Sequence, residues 1–219
     1  MIAEIKGKKP KRPKGWLDRF DKSLQRFSDE SVRERVLEGS EGLTQSSSPK
    51  RRADWVSGAM ERLEASISDE ETKRQIILAC SHVFPKTRIK KLREVREKTG
   101  SIDALFTYMH EDRSAHGLSY YEYPTRKGTT IYVTKIPFNP QGYVKAKDEE
   151  TRRRTYCHCG WIKAATEPVS PTFCICGAGW YKTLWEGILK KPVRVEVLRS
   201  LLRGDDHCEF SVHLPRGAT

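Results

Sequence analysis

The sequence predicts an α+β protein in which N-terminal helices pack on a C-terminal mixed α/β unit with antiparallel strands. Three observations carry this. Apolar residues recur at three-to-four spacing between Asp54 and Asp112, the period of amphipathic helices. After Gly117 short runs rich in Tyr, Ile, Val and Thr take over, separated by Pro and Gly, which reads as strands. Near the C-terminus Val193, Val195 and Val197 alternate with Arg194, Glu196 and Leu198, placing the valines on one face of an extended segment.

The elements follow in order. Residues 1–14 are dominated by Lys, Pro and Gly and read as a basic flexible arm. Trp16 to Leu37 reads as one helix, with Trp16, Phe20, Leu24 and Phe27 on its apolar face. Residues 39–50 read as a linker from their Gly and Ser content. Next come a helix bearing Trp55, Ala59 and Leu63, and one capped by Asp69 that carries Ile76, Ile77 and Cys80. Pro85 breaks the chain. Ile89, Leu92 and Val95 mark the following helix, which Gly100 ends. Ser101 then caps a helix with Ile102, Leu105, Phe106 and Met109 at i, i+3, i+4 and i+7. A hairpin is expected from Ser119–Tyr123 and Thr129–Ile136, with Pro124 and Gly128 in its turn. A helix from about Gly177 to Leu189 and a strand from Pro192 to Leu202 follow. Gly204-Asp205-Asp206 turns the chain into a returning strand from His207 to Leu214. The expected division is 1–50 (basic arm, helix and linker), 51–116 (helical region) and 117–219 (a cysteine-containing ligand-binding module).

The chain has 219 residues, 37% hydrophobic and 32% charged, with a net charge of +12. No stretch is apolar for the length that a membrane span needs. Met1 to Trp16 is basic with no apolar run behind it, unlike a secretory signal. A cytoplasmic setting, where thiols stay reduced, is the expectation. The basic arm, with Lys6, Lys8, Lys9, Lys11, Arg12 and Lys14, is a candidate contact for an anionic partner. The plainer account of the arm, and of clusters such as Arg152-Arg153-Arg154, is solvated tail and helix surface. The oligomeric state stays open, a dimer included.

Six cysteines in a reducing compartment read as metal ligands or reactive thiols before disulfides. Cys157-x-Cys159 is followed after fourteen residues by Cys174-x-Cys176. Four thiolates can close a tetrahedral Zn²⁺ site, and Cys208, beside His207, offers a fifth sulfur. The candidate Zn²⁺ ligands are therefore Cys157, Cys159, Cys174, Cys176 and Cys208. Two other accounts compete. Cys174 and Cys176 precede a helix, whose dipole favours thiolate and hence reactivity. Cysteines are also commonly buried for packing alone. Cys80-x-His82 is assigned to structure. Aromatic residues crowd the same region, and Trp161, Trp180, Tyr181 and Trp185 are the candidate wall of a pocket for a small hydrophobic or aromatic molecule, with ordinary core as the alternative. His110, one turn from Phe106, is expected to face inward beside that cleft.

The run Cys176-Gly-Ala-Gly-Trp-Tyr-Lys-Thr-Leu-Trp-Glu-Gly-Ile-Leu, then Pro192-Val-Arg-Val-Glu-Val-Leu-Arg-Ser-Leu-Leu-Arg-Gly-Asp-Asp-His-Cys-Glu-Phe, resembles the 4-vinyl-reductase type of small-ligand domain. It is also similar to the end of the L-2-amino-thiazoline-4-carboxylic acid hydrolase-like family. The stretch from Cys80-Ser-His-Val-Phe-Pro to the end looks like a prokaryotic family with the same closing module. The resemblance implies an α/β pocket for a small molecule and, as in sensor members, a structural Zn²⁺ bound by cysteines and a glutamate. Cys208 matches the final ligand, and Glu196 falls near the glutamate. Ser200 stands where a further cysteine is expected. No hydrolase catalytic residues match.

The leading expectation is a cytosolic small-molecule-binding protein with a cysteine-ligated structural Zn²⁺ beside an aromatic pocket. One alternative is a thiol- or metal-dependent enzyme with His110 or His158 as base. Another is a nucleic-acid-binding zinc module.

Overall fold

The computed structural model describes residues 15–44, 46–116 and 124–218, with the side chains of 112–116 excepted. The basic arm and the expected strand Ser119–Tyr123 lie outside the described residues.

The N-terminal helical segment is two helices. Helix α1 (Trp16–Phe27) buries Trp16, Leu17, Phe20 and Leu24, and α2 (Glu30–Leu37) starts afresh where the Asp29 side chain accepts the Val32 N–H. That cap is the signal which a search for apolar period alone passes over. Residues 39–50 are packed rather than free. Ser40 and Leu43 are buried, and the Ser48 side chain caps α3 (Pro49–Ser66). Asp69 caps α4 (Glu70–Ala79) through Thr72 N–H, and α5 (Lys86–Thr99) ends at Gly100 with φ +68°. Ser101 Oγ accepts the Ala104 N–H at 3.2 Å at the head of α6 (Ile102–His116).

The described hairpin lies directly after Pro124. Strand β1 (Thr125–Lys127) follows Pro124 and pairs with β2 (Thr130–Thr134), Gly128 turning the chain at φ +58°. Two short polar helices, α7 (Pro140–Lys145) and α8 (Glu149–Tyr156), come next. Asn139 and Asp148 cap them. Neither carries a clear apolar stripe, so periodicity gives no sign of them. After an irregular stretch and a 3-10 turn at Pro171–Cys174, α9 (Ile175–Leu189) leads to β3 (Arg194–Arg199) and β4 (Glu209–His213). The sheet is antiparallel in the order β1-β2-β4-β3. Strand β3 is shorter than expected, because a register shift between Val197 and Arg199 and a 3-10 turn at Leu201–Arg203 break the extended run, and β4 covers only Glu209–His213 of the expected His207–Leu214. The fold is α+β, as the sequence predicts. No described helix is long and apolar enough to cross a membrane.

The buried residues form two clusters that do not follow boundaries at 50 and 116. One joins α1, α3 and α4 to Ile162, Ala165, Phe173 and Cys176. The other joins α5 and α6 to the sheet and to α9. The 156–178 segment therefore contributes to both. It is tied down by polar anchors. Glu64 accepts from Ser170 Oγ at 2.8 Å and Thr172 Oγ1 at 2.5 Å and pairs with the buried Lys73 at 2.6 Å. Arg153, from a cluster expected on a solvated face, is buried and donates to the Ala165 carbonyl.

Helix α9 approaches its neighbours at distances that only glycine allows. A Cβ on Gly179 would lie 2.4 Å from Ser81 Cβ and 2.8 Å from the Leu78 carbonyl oxygen, and one on Gly187 would lie 2.5 Å from Ile89 Cγ2. The Leu78 carbonyl is backbone and cannot swing aside. Gly179→Ala is therefore expected to lower stability by about 1–3 kcal/mol through overpacking. The urea midpoint reads this, and an unchanged midpoint would contradict the close packing of α9 on α4.

Candidate functional site

A cavity of about 270 Å³ opens beside the start of α9. Five of the six cysteines line it, brought by three chain segments. Cys157 and Cys159 arrive from the C-terminal end of α8, where the Cys157 N–H still bonds the Arg153 carbonyl at 2.9 Å. Cys174 closes the 3-10 turn and Cys176 stands in the first turn of α9. Cys208 immediately precedes β4.

The Tyr156 hydroxyl holds the three segments in place. It donates to the Lys135 carbonyl at 2.7 Å and accepts the Cys208 N–H at 2.7 Å, while the Lys135 N–H reaches the Cys208 carbonyl at 2.9 Å. Tyr156 is itself buried. The end of α8, the exit of β2 and the entry of β4 are thereby fixed to one another at the cavity wall.

The sequence candidates separate on the structure. Trp180 and Tyr181 line the cavity, joined by Phe173 and Phe210. Trp161 does not line it; its ring packs 5.2 Å from Trp16 under the Arg52 guanidinium, in the N-terminal core. Trp185 is buried one turn further along α9, edge-on to Phe106 at 6.1 Å. His110 is exposed on α6 and lies away from the cavity. The helix turns its Ile102, Leu105, Phe106 and Met109 stripe inward, and that phase carries His110 outward. His207 pairs with Asp206 at 2.6 Å in the turn before β4 instead of joining Cys208 at the cavity. Glu196 also points away. Strand alternation sets it opposite Val195 and Val197, where it meets His213 at 2.8 Å and Arg194 at 2.6 Å.

Two histidines complete the lining. His158 Nε2 is 2.7 Å from the Ile136 carbonyl. His82 Nε2 is 3.7 Å from Cys159 Sγ. The Cys80-x-His82 pair, assigned to structure from sequence, thus divides. Cys80 is buried beneath α1 and donates to the Ile77 carbonyl at 3.3 Å, whereas His82, past the end of α4, turns into the cavity. The pair's position just after a helix end was the available signal, because the chain leaves the helical phase there. Ser200 fills the place where the resemblance expects a cysteine, and its hydroxyl lies 2.9 Å from Cys174 Sγ.

Burial dominates the electrostatics. Desolvation, with smaller contributions from neighbouring thiols, pushes Cys159 and Cys174 up to about 12 and raises Cys157, Cys176 and Cys208 as well. A helix start was expected to favour thiolate at Cys174 and Cys176. Desolvation outweighs that field here. Burial also lowers His82 and His158, so both imidazoles stay neutral near pH 7. The cavity therefore presents protonated thiols and neutral imidazoles, which are poor nucleophiles but become soft ligands once a metal displaces the protons. Among the described residues no three His, Cys, Asp or Glu side chains already stand as a group able to hold a metal ion. Binding one would require thiols to rotate toward a common point in the cavity they share. Comparison with protein-family models, with curated proteins and with solved structures finds no match to the chain.

The thiol shifts set a pH dependence. Well below pH 9 the thiols are protonated in both the folded and the unfolded chain and contribute little difference. Between 9.0 and about 12 the unfolded chain ionises while Cys159 and Cys174 in the fold do not, so stability falls as pH rises through that window. Urea unfolding with reductant and chelator at about pH 8 and about pH 10.5 is expected to show this fall, and to show a shallower one for C159A/C174A. Equal falls in the two proteins would contradict it.

Proposed function

We propose that this is a cytosolic small-molecule-binding protein whose aromatic cavity is braced by a Zn²⁺ ion held by thiolates drawn from Cys157, Cys159, Cys174, Cys176 and Cys208. One observation carries the reading: five sulfurs from three separate segments share one cavity wall with Trp180, Tyr181, Phe173 and Phe210. Packing alone does not call for such convergence, since apolar side chains would fill the space without leaving a void. A metal ion supplies the positive charge that lets buried thiols ionise. An ion bridging the 157–176 segment to Cys208 would fasten that segment to β4, a structural role. The resemblance of the closing module to the 4-vinyl-reductase type of domain supports a reading of this kind, and Ser200, where that resemblance expects a cysteine, has its hydroxyl 2.9 Å from Cys174 Sγ.

The thiol-enzyme alternative has one contact in its favour, Cys159 Sγ at 3.7 Å from His82 Nε2. It would make His82 the base in place of His110 or His158. The protonated state of Cys159 weighs against it.

Elemental analysis of protein purified under reducing conditions is expected to give about one Zn²⁺ per chain. Chelation is expected to lower the unfolding midpoint, and Cys208→Ser to lower metal affinity and stability together. Zinc-free protein with freely titrating thiols, or full stability after complete chelation, overturns the metal. Turnover abolished by Cys159→Ser with metal content intact would favour the enzyme.

A further inference from the structure

We infer that the cavity takes a small aromatic or apolar monoanion, a carboxylate, and that Lys135 is the residue that selects it. The inference rests on the small-molecule reading above and specifies what that molecule must be.

Lys135 follows the last residue of β2, and its main chain is held on both sides, by the Cys208 carbonyl at 2.9 Å and by the Tyr156 hydroxyl at 2.7 Å. This clamp fixes where the side chain starts. The ammonium lies over the Phe210 ring, 5.4 Å from its centroid. It is also 3.6 Å from the point where Gly177 would carry a Cβ, an ordinary contact distance, which places it at the cavity wall beside the first turn of α9.

Among the described residues Lys135 has no carboxylate within ion-pairing distance and no hydrogen-bond acceptor for its ammonium. By contrast Lys73, the buried lysine of the N-terminal core, pairs with Glu64 and Glu70. Among the described residues no Asp or Glu lines the cavity. The remaining polar side chains of the wall belong to cysteines, histidines, Tyr156, Tyr181 and Trp180, and none of them is a carboxylate. A half-buried cation in such surroundings lacks the counter-charge that buried charges normally have, and a ligand can supply it. A single ammonium, a compact point charge, matches one negative charge, whereas a phosphate ester would call for more donors. The volume of about 270 Å³ and the aromatic side chains of the wall suit a body of about one ring.

The test is calorimetric titration of the full chain, with its metal content measured, using two matched pairs: benzoate against benzamide, and phenylacetate against phenylacetamide. Each pair shares ring and size and differs in charge. The wild-type protein is expected to bind the carboxylates about tenfold or more tighter than the amides. Lys135→Gln is expected to bring that ratio close to one with amide affinity and metal content unchanged, and Lys135→Arg to retain most of the preference. Equal affinity of wild type for acid and amide overturns the inference and leaves the small-molecule reading standing. A preference that survives Lys135→Gln also overturns it. So does a Lys135→Gln protein that loses metal while keeping its preference, for the ammonium would then serve the metal's thiolates. Failure of all four probes to bind sinks the small-molecule reading together with the inference.

Discussion

The site depends on one hydroxyl. Tyr156 sits where α8 ends, and its oxygen bonds the Lys135 carbonyl and the Cys208 N–H at once. Both are main-chain groups that enter or leave a strand at the sheet's edge of regular pairing, where no ladder partner serves them. A buried peptide group without a partner is costly, about 1–3 kcal/mol, so the tyrosine stabilises the junction and fixes its geometry together. Burial raises the hydroxyl's pKa far above its ordinary value, which keeps its proton available to donate. From this node Cys157 follows in one direction, Cys208 in another and Lys135 in a third. The cavity is the space they leave between them and α9.

Helix α9 is the second constraint. It meets α4 at Gly179, α5 at Gly187 and the Phe210 ring at Gly177. Those three small residues let one helix serve as a wall of both hydrophobic clusters, which would otherwise be separate bodies held by loops. The same closeness carries Cys174 and Cys176, at the head of the helix, up against segments that pack on α1 and on the sheet. The sulfur-rich site thus lies on the seam between the two clusters.

Its chemistry follows from that burial. Near pH 7 the thiols are protonated, the imidazoles are neutral, and Lys135 stands among them without a described counter-charge. A site in this state is poorly suited to attack an electrophile. It is better suited to receive something that brings charge of its own, a metal cation for the sulfurs or an anionic group for the lysine. The two demands fall on different atoms of one wall, the sulfurs and the Lys135 ammonium.

Much of the fold was legible in the chain. The α+β class, the helices over 54–112, the Asp69 and Ser101 caps and the valine alternation of β3 all follow from local chemistry, since period and capping are properties of neighbouring residues. So was the concentration of cysteines in the C-terminal half, whose paired spacing is itself local. The break at Asp29 was legible too, in a cap that apolar period overshadowed. Other features were beyond local chemistry. Helix phase turned His110 to solvent and buried Trp185, and only the packing partners of each helix decide that phase. Trp161 left the pocket because Trp16, some 145 positions away in the chain, offered it a face. His82 and Lys135 joined the site through long-range contacts with Cys159 and with the Tyr156–Cys208 junction. The sequence by itself determined most of the helices over 54–112, the valine face of β3 and where sulfur is concentrated. Only the tertiary structure decided which side chains share a cavity, and whether a thiol at a helix start is governed by the helix field or by its own desolvation, because both depend on residues brought together from distant parts of the chain.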